Sequence, residues 1–95
     1  MMEDVQITPE QQAKDRAVAL ANARKEIDQL DNDIADLLMR RMTKARYARY
    51  MHPSLDTDDV RQKQIVARYT KRLTPWTSAS VVEALCDALF RMSMP

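Results

Sequence analysis

The sequence contains no glycine, and it has only one cysteine and one histidine among its 95 residues. Without glycine it lacks the Gly-rich loops that bind phosphate groups in P-loop proteins. The single cysteine, Cys86, excludes a disulfide within the chain, and with His52 as the single histidine a Cys/His zinc site is not expected. Because glycine is costly inside helices, its absence is typical of an almost wholly helical chain.

Long apolar runs and a dominant charge are lacking as well. No stretch approaches the roughly 20 apolar residues of a membrane span, and the polar, acidic N-terminus is unlike a signal peptide. We therefore expect a cytoplasmic protein. Lysine and arginine number 15 against 14 aspartates and glutamates, which gives a net charge of +1. This balance disfavours nucleic acids and anionic membranes as partners.

Local signals predict where a first, long helix begins and ends. Thr8 is its expected N-cap, with Pro9 at the first helical position and Gln11 completing a capping box. No further proline occurs until Pro53, so the helix is predicted to run for about 40 residues, roughly 60 Å. A helix of that length is too long for a 95-residue globule to cover alone, which predicts a dimer.

Two shorter helices are predicted after Pro53. Asp56 or Thr57 is the expected cap of the second helix, which runs to about Leu73. A Thr-Pro-Trp break follows, and a capping box beginning at Ser80 predicts the start of the third helix. The residues expected to face inward are Val60, Ile65, Val66, Tyr69 and Leu73 in the second helix and Val82, Leu85, Leu89 and Met92 in the third.

The apolar stripe of the first helix contains an arginine. The stripe consists of Ile27, Leu30, Ile34, Leu37 and Leu38, which recur at spacings of three and four residues. At about 100° per residue, Arg41 lies roughly 40° from the direction of Ile27, near the middle of the stripe. A guanidinium group on such a face is costly to bury unless it is paired. Arg41 is therefore a candidate ligand-binding residue.

Further polar residues border the predicted apolar faces. They are Arg24 and His52 on the first helix, Arg61 and Gln62 on the second, and Ser93 on the third. Converging arginines without inward carboxylates indicate an anionic ligand, best a carboxylate bound by two parallel hydrogen bonds. Arg24 and Arg41 are 17 residues apart, roughly 25 Å along one helix, so a small dianion cannot contact both. If both bind ligand, each site of an antiparallel dimer receives Arg24 of the partner subunit.

These polar residues also have ordinary structural explanations. Arg24 could extend to solvent at the edge of the stripe, and Arg41 could pair with a carboxylate such as that of Asp58. His52 precedes a proline and could simply cap the helix end. The polar residues of the other two helices could lie in solvent.

The first-helix pattern resembles that of the all-helical (AroQ-class, type II) chorismate mutases. Their first helix carries an arginine, an Ile/Leu-Asp-x-hydrophobic-Asp run, and then Leu-Leu-x-x-Arg. Here Arg24, IDQLD over 27–31 and LLMRR over 37–41 stand at the family's spacings. The resemblance extends to the pair Asp58-x-x-Arg61 and to Ser93.

The resemblance, which covers about residues 20–93, implies an intertwined homodimer of three-helix chains that converts chorismate to prephenate. It implies that the reaction needs no cofactor and no metal, and that it belongs to aromatic amino acid biosynthesis, in the shikimate pathway. Residues 8–95 would form the chorismate mutase-like domain, and residues 1–7 are expected to be a disordered N-terminus.

The resemblance also implies roles for individual residues. The catalytic residues would be Arg41, His52 and Arg61, and the substrate-binding residues Arg24, Asp58, Gln62 and Ser93. Arg41 and Arg24 of the partner subunit would bind the two carboxylates of the substrate, and Gln62 would approach its ring hydroxyl. Such a unimolecular rearrangement needs the substrate held in its reactive conformer, with positive charge beside the breaking ether oxygen.

One departure from the family concerns that positive charge. Eleven residues after the second arginine the family has a lysine that contacts a carboxylate and the ether oxygen, and here that residue is His52. Because an imidazole is charged only in mildly acidic solution, turnover is predicted to fall as the pH rises from 6 to 8. Lys44 and Arg49 point roughly 60° and 80° away from Arg41, so they are not expected to replace the lysine.

Two other departures concern the second and third helices. The family's glutamate after the second-helix arginine is here Gln62. The glutamine or glutamate expected four residues beyond Ser93, near the ether oxygen, falls after Pro95, the last residue of the sequence. These changes lead us to expect an enzyme that is weak, specialised, or dependent on an activating protein partner.

Other assignments stay open. Among enzymes, an isochorismate-pyruvate lyase or an aminodeoxychorismate mutase is an alternative, because Gln62 would change the contact with the ring substituent. A non-catalytic helical dimer of the same fold could act as a ligand- or partner-binding protein. Nucleic-acid binding by the stretch RMTKARYARY over 41–50 is disfavoured by the nearly neutral charge.

Overall fold

The computed structural model describes residues 8–53 and 59–94, and these form three α-helices. Helix α1 runs Pro9–Met51, α2 runs Asp59–Leu73, and α3 runs Ala79–Met92. No strand occurs in the described ranges, so the all-α prediction with three helices is confirmed for them. The disorder expected of residues 1–7 and the cap expected at Asp56 or Thr57 fall outside the described residues.

Helix α1 begins and ends where its local signals predict. The Gln11 backbone N–H donates to Thr8 Oγ1 at 3.1 Å, which is the hydrogen bond of an N-cap residue. The Gln11 side-chain amide donates to Asp15 Oδ1 at 3.1 Å. The helix ends at Met51, and the His52 N–H still donates to the Ala48 carbonyl at 2.9 Å. Pro53, which lacks an N–H, follows directly.

Helix α3 begins two residues earlier than predicted. Its N-cap is Ser78, whose extended backbone (φ −79°, ψ 157°) lets the side chain accept a hydrogen bond from the Val81 N–H at 3.4 Å. The prediction of Ser80 as the cap is therefore wrong, since Ser80 lies in the first turn, with its Oγ 3.1 Å from that of Ser78. The preceding turn after Leu73 includes a cis Thr74–Pro75 peptide bond.

The chain divides into two units within α1, between Asp36 and Leu37. In the first unit, every described side chain from Thr8 to Asp36 is exposed. Its stripe residues Ile27, Leu30 and Ile34 are 52–58 % exposed. The single chain therefore leaves this part of the predicted apolar stripe uncovered.

The second unit has its core along α3. Among its described residues, the buried ones are Val82, Cys86, Leu89 and Ser93. They follow one another at steps of four, three and four residues, so they form one stripe on the helix. The half-buried residues of the other two helices include Leu38, Met42 and Ala45 of α1 and Ile65, Val66, Tyr69 and Leu73 of α2.

Two residues expected to face inward are exposed. Leu85 is 41 % exposed and Val60 67 % exposed. On α3 the buried stripe passes through Cys86 instead of Leu85, because the helix turns about 100° per residue and the two positions face different directions. None of the helices in the described ranges is both long enough and apolar enough to cross a membrane.

Candidate functional site

The second unit contains a cavity of about 380 Å³. Helix α1 lines it over two turns, α2 contributes its first turns, and α3 contributes the C-terminal end. The lining residues are Arg41, Lys44, Ala45, Ala48 and Arg49 of α1, Arg61, Gln62 and Ile65 of α2, and Phe90, Ser93 and Met94 at the end of α3. A volume of this size suits a small organic ligand.

The charged side chains among the described residues of the lining are all of one sign. Arg41, Lys44 and Arg49 line it from α1 and Arg61 from α2, and the described lining includes no acidic side chain. Like charges facing one space repel one another, and the repulsion is relieved when an anion enters. Because guanidinium groups match carboxylate geometry with paired donors, the chemistry favours a carboxylate ligand.

The remaining lining is apolar, with one amide and one hydroxyl. Ala45 and Ala48 have short side chains, which leaves open space beside α1. Phe90 and Ile65 offer surfaces against which a ring or hydrocarbon can pack. Gln62 contributes a side-chain amide that can donate and accept hydrogen bonds. The cavity is therefore suited to an anion with an apolar body.

Arg41 is positioned by a buried serine. Its Nη1 donates to Ser93 Oγ at 3.2 Å, and the same hydroxyl donates to the Leu89 carbonyl at 2.9 Å. Ser93 is only 5 % exposed, so this hydroxyl uses both its donor and an acceptor site within the protein. The chain Leu89–Ser93–Arg41 fixes one corner of the guanidinium group and leaves other N–H donors to serve a ligand.

A second arginine of α1 forms a hydrogen bond with the C-terminal end of α3. Arg46 Nη2 donates to the Met92 carbonyl at 3.4 Å. The last carbonyls of a helix have no partner within the helix and carry partial negative charge, so a cation there is favourable. Together, Arg41 and Arg46 hold the C-terminal end of α3 against α1, where Phe90 and Ser93 line the cavity.

The charge of Arg41 also acts on the buried thiol of Cys86. Burial raises the pKa of this thiol, the positive charge of Arg41 acts to lower it, and Asp87 acts to raise it, with burial the largest effect. The thiol therefore stays protonated and acts as a small apolar group of the core.

The structure brings four of the seven predicted site residues together. These are Arg41, Arg61, Gln62 and Ser93, which all line the cavity. Arg24 is exposed in the first unit. His52 is exposed just beyond the end of α1 and is not among the lining residues. Asp58 lies outside the described residues.

Two lining cations, Lys44 and Arg49, do not follow from the angles around α1, which direct them away from Arg41. The angle around a helix describes where a side chain starts, whereas a lysine or arginine side chain is long enough to bring its charge to a neighbouring face. Spacing could have identified them, because positions 41, 44, 45, 48 and 49 follow one another at three- and four-residue steps or are adjacent, and so share one side of α1. Among the described residues, no group of three or more His, Cys, Asp or Glu side chains could hold a metal ion.

No protein-family model, no curated protein and no solved structure matches this chain. The chemistry of the cavity indicates the class of ligand. Its fixed positive charges, its amide and hydroxyl and its apolar wall together favour a small carboxylate ligand with a ring or hydrocarbon body.

Proposed function

We propose that the protein is a chorismate mutase-type isomerase, which converts chorismate to prephenate by a pericyclic rearrangement. One observation carries the proposal: Arg41, Arg61, Gln62 and Ser93 line a single cavity with no acidic side chain among its described residues. The resemblance to the all-helical chorismate mutases, which covers about residues 20–93, implies that these four residues belong to the substrate site. Chorismate has two carboxylates and an apolar ring, which matches the chemistry of the lining.

The proposed mechanism depends on binding geometry. The substrate rearranges within one molecule, so the protein has to hold its two reacting ends together and stabilise the charge that develops on the ether oxygen. Arg41, held by Ser93, binds one carboxylate with its remaining donors. Arg61 supplies positive charge from α2, and Gln62 hydrogen-bonds the ring substituent. No covalent intermediate and no cofactor are required for this reaction.

We further propose that the active form is an intertwined homodimer. The exposed stripe of the first unit supports this, because apolar side chains such as Ile27, Leu30 and Ile34 would be covered by the helix of a second chain. In such a dimer, Arg24 of the partner subunit binds the second carboxylate. The proposed contributions of Asp58 and His52 stay predictions from the sequence.

The test is the consumption of chorismate by the purified protein, followed through the loss of its ultraviolet absorbance and the formation of prephenate. Arg41→Ala should lower kcat/KM by roughly 10²-fold or more, since it removes a donor that stabilises both the bound substrate and the transition state. Arg40→Ala is the matched control, because Arg40 is the adjacent, exposed arginine of α1 and does not line the cavity. Equal activity of the Arg41→Ala and Arg40→Ala variants would contradict the proposed site.

A second candidate is a non-catalytic protein of the same fold that binds dicarboxylates. It is favoured by the exposed position of His52, the residue expected to place positive charge beside the ether oxygen. This protein would bind chorismate in calorimetry, lose that binding in the Arg41→Ala variant, and form no prephenate. If aminodeoxychorismate is consumed instead of chorismate, the protein is still a mutase with another substrate, whereas release of pyruvate from isochorismate would make it a lyase.

A further inference from the structure

We propose that Arg49 supplies a cation that the all-helical chorismate mutases, which this sequence resembles, provide with a lysine. This sequence has His52 at the position of that lysine. The inference rests on the proposed function, because it names a further residue that contacts the ligand in the same cavity. The inference predicts that the guanidinium group of Arg49 binds the anionic ligand. Arg49 would do so from the C-terminal part of α1, whereas Arg41 lies nearer the N-terminus of that helix.

The placement of the two side chains carries the inference. Arg49 lines the cavity and is half-buried, and its Nε and Nη1 atoms are shielded from solvent. His52 is exposed and lies beyond Met51, the last residue of α1. A cation has to reach the interior of the cavity to act on a bound ligand, and of these two residues Arg49 is the one that lines it.

The geometry of α1 explains why the arginine reaches the cavity. Side chains on a helix lean towards its N-terminus, so the side chain of Arg49 extends over the preceding turn, where Ala45 lies four residues earlier. Ala45 and Ala48 are too short to fill that space. Arg49 and Arg41 are eight residues apart, about 12 Å along the helix axis, so they approach the cavity from different ends.

The ring of charges around the ligand then contains no imidazole. Arg41, Lys44 and Arg49 face the cavity from α1 and Arg61 from α2, while the α3 end contributes the uncharged Phe90, Ser93 and Met94. Guanidinium groups remain charged throughout the physiological range, and the carboxylates of the ligand are ionised there. We therefore expect affinity for the ligand to be constant between pH 6 and pH 8, in contrast to the fall expected if His52 supplied the charge.

The experiment is a titration of chorismate into the protein and its variants, in which affinity is measured by calorimetry, or as KM where prephenate forms. Arg49→Gln keeps the aliphatic stem and removes the charge, and it should lower the association constant roughly 10- to 100-fold, the loss typical of a hydrogen bond to a charged group. Arg49→Lys should bind between this variant and the wild type, since it restores the charge without the paired donors. Arg68→Ala, which removes an exposed arginine of α2 outside the lining, should bind like the wild type. His52→Ala separates the two assignments, since it should keep the wild-type affinity at pH 6 and pH 8 if Arg49 supplies the charge and lose affinity at pH 6 if His52 does.

A second measurement uses only the wild-type protein, so it does not depend on the folding of any variant. Phenylglyoxal modifies arginines, and mass spectrometry can follow each site separately. Bound chorismate should slow the modification of Arg49 and leave that of Arg68 unchanged.

The outcomes separate the two proposals. Wild-type-like binding by Arg49→Gln together with weakened binding by Arg41→Ala overturns the role of Arg49 and leaves the proposed function intact. Binding that falls from pH 6 to pH 8 and is lost in His52→Ala likewise returns the role to the histidine. If the wild type does not bind chorismate, or Arg41→Ala binds as well as the wild type, the proposed function fails and the inference fails with it.

Discussion

Arg41 illustrates how a charged side chain can occupy a position on an apolar helix face. It is half-buried, and Ser93 Oγ accepts one of its N–H groups while donating to the Leu89 carbonyl. The serine therefore couples the guanidinium group to the backbone of α3 through two hydrogen bonds. Leaving buried hydrogen-bond donors without acceptors costs free energy of folding, so an anion that accepts from the remaining N–H groups of Arg41 would bind favourably.

At the same scale, the buried thiol of Cys86 predicts how stability depends on pH. Because burial raises its pKa above the ordinary value of 9.0, the folded state holds the thiol proton more tightly than the unfolded state does. This contribution is fully present below the unfolded-state pKa and is lost as the pH rises through the folded-state pKa. We expect the free energy of unfolding to fall as the pH rises above about 9, measured by urea denaturation.

Cys86→Ala provides the control for this prediction, because lysines and tyrosines that ionise in the same range remain in both proteins. The variant should lose the part of the slope that belongs to the thiol. An identical slope in the wild type and in Cys86→Ala would show that the thiol ionises equally in the folded and unfolded states.

The sequence identified some residues of the cavity and not others. The positions of Arg41 and Ser93 on apolar stripes follow from helix periodicity alone, and both line the cavity. Lys44 and Arg49 could not be assigned from wheel angles, because a long flexible side chain can deliver its charge away from its own Cα direction. His52 has the favourable angle but lies beyond the end of α1, and an angle on a helical wheel has meaning only within the helix.

At the scale of the element, α3 shows how a single side chain determines where a helix begins. The Val82 N–H donates to the Ser78 carbonyl at 3.2 Å, and the Ser78 side chain accepts from the Val81 N–H. The turn before it is already closed by a bond from the Thr77 N–H to the Leu73 carbonyl at 3.0 Å. Sequence signals alone could not separate Ser78 from Ser80, because both are good caps and the tertiary position of the turn decides between them.

Replacing the cap tests this assignment. Ser78→Ala should lower the free energy of unfolding by about 1 kcal/mol, since it leaves an N–H group at the start of α3 without its side-chain acceptor. Ser80→Ala should change it little or raise it slightly, because alanine is the better helix former inside the first turn. Thermal and urea unfolding followed by circular dichroism would measure both. A larger loss for Ser80→Ala than for Ser78→Ala would restore Ser80 as the cap.

At the scale of the whole molecule, the two units differ in how far their side chains are buried. The helix boundaries were largely predictable, because Pro9, Pro53 and the Thr-Pro-Trp break are local signals. The sequence also indicated that α1 carries more apolar surface than one chain can cover, and the first unit does leave Ile27, Leu30 and Ile34 exposed. Periodicity does not identify the partner that covers this apolar stripe, since any apolar helix face could pack against it.

The proposed dimer can be tested by sedimentation. At micromolar concentration we expect a mass twice the 11.0 kDa of the chain. Ile34→Lys places a charge in the middle of the stripe and should shift the protein towards the monomer, because the charge would have to be buried in the interface. Asp36→Lys is the matched control, since Asp36 lies about 180° from the direction of Ile27 on the same helix. A monomeric wild type would remove both the dimer and the proposed contribution of Arg24 of the partner subunit.

The positive charge on the described lining of the cavity has a consequence for how much of the protein accumulates in the cell. The buried side chains described in the second unit are Val82, Cys86, Leu89 and Ser93, and the lining cations have like charge, so an anion between them is favourable. An anion that binds only the folded chain shifts the folding equilibrium by mass action, by about 2.7 kcal/mol at a concentration 100 times its dissociation constant. Because proteases act on the unfolded fraction, the supply of the ligand would then help to set how much of the protein accumulates.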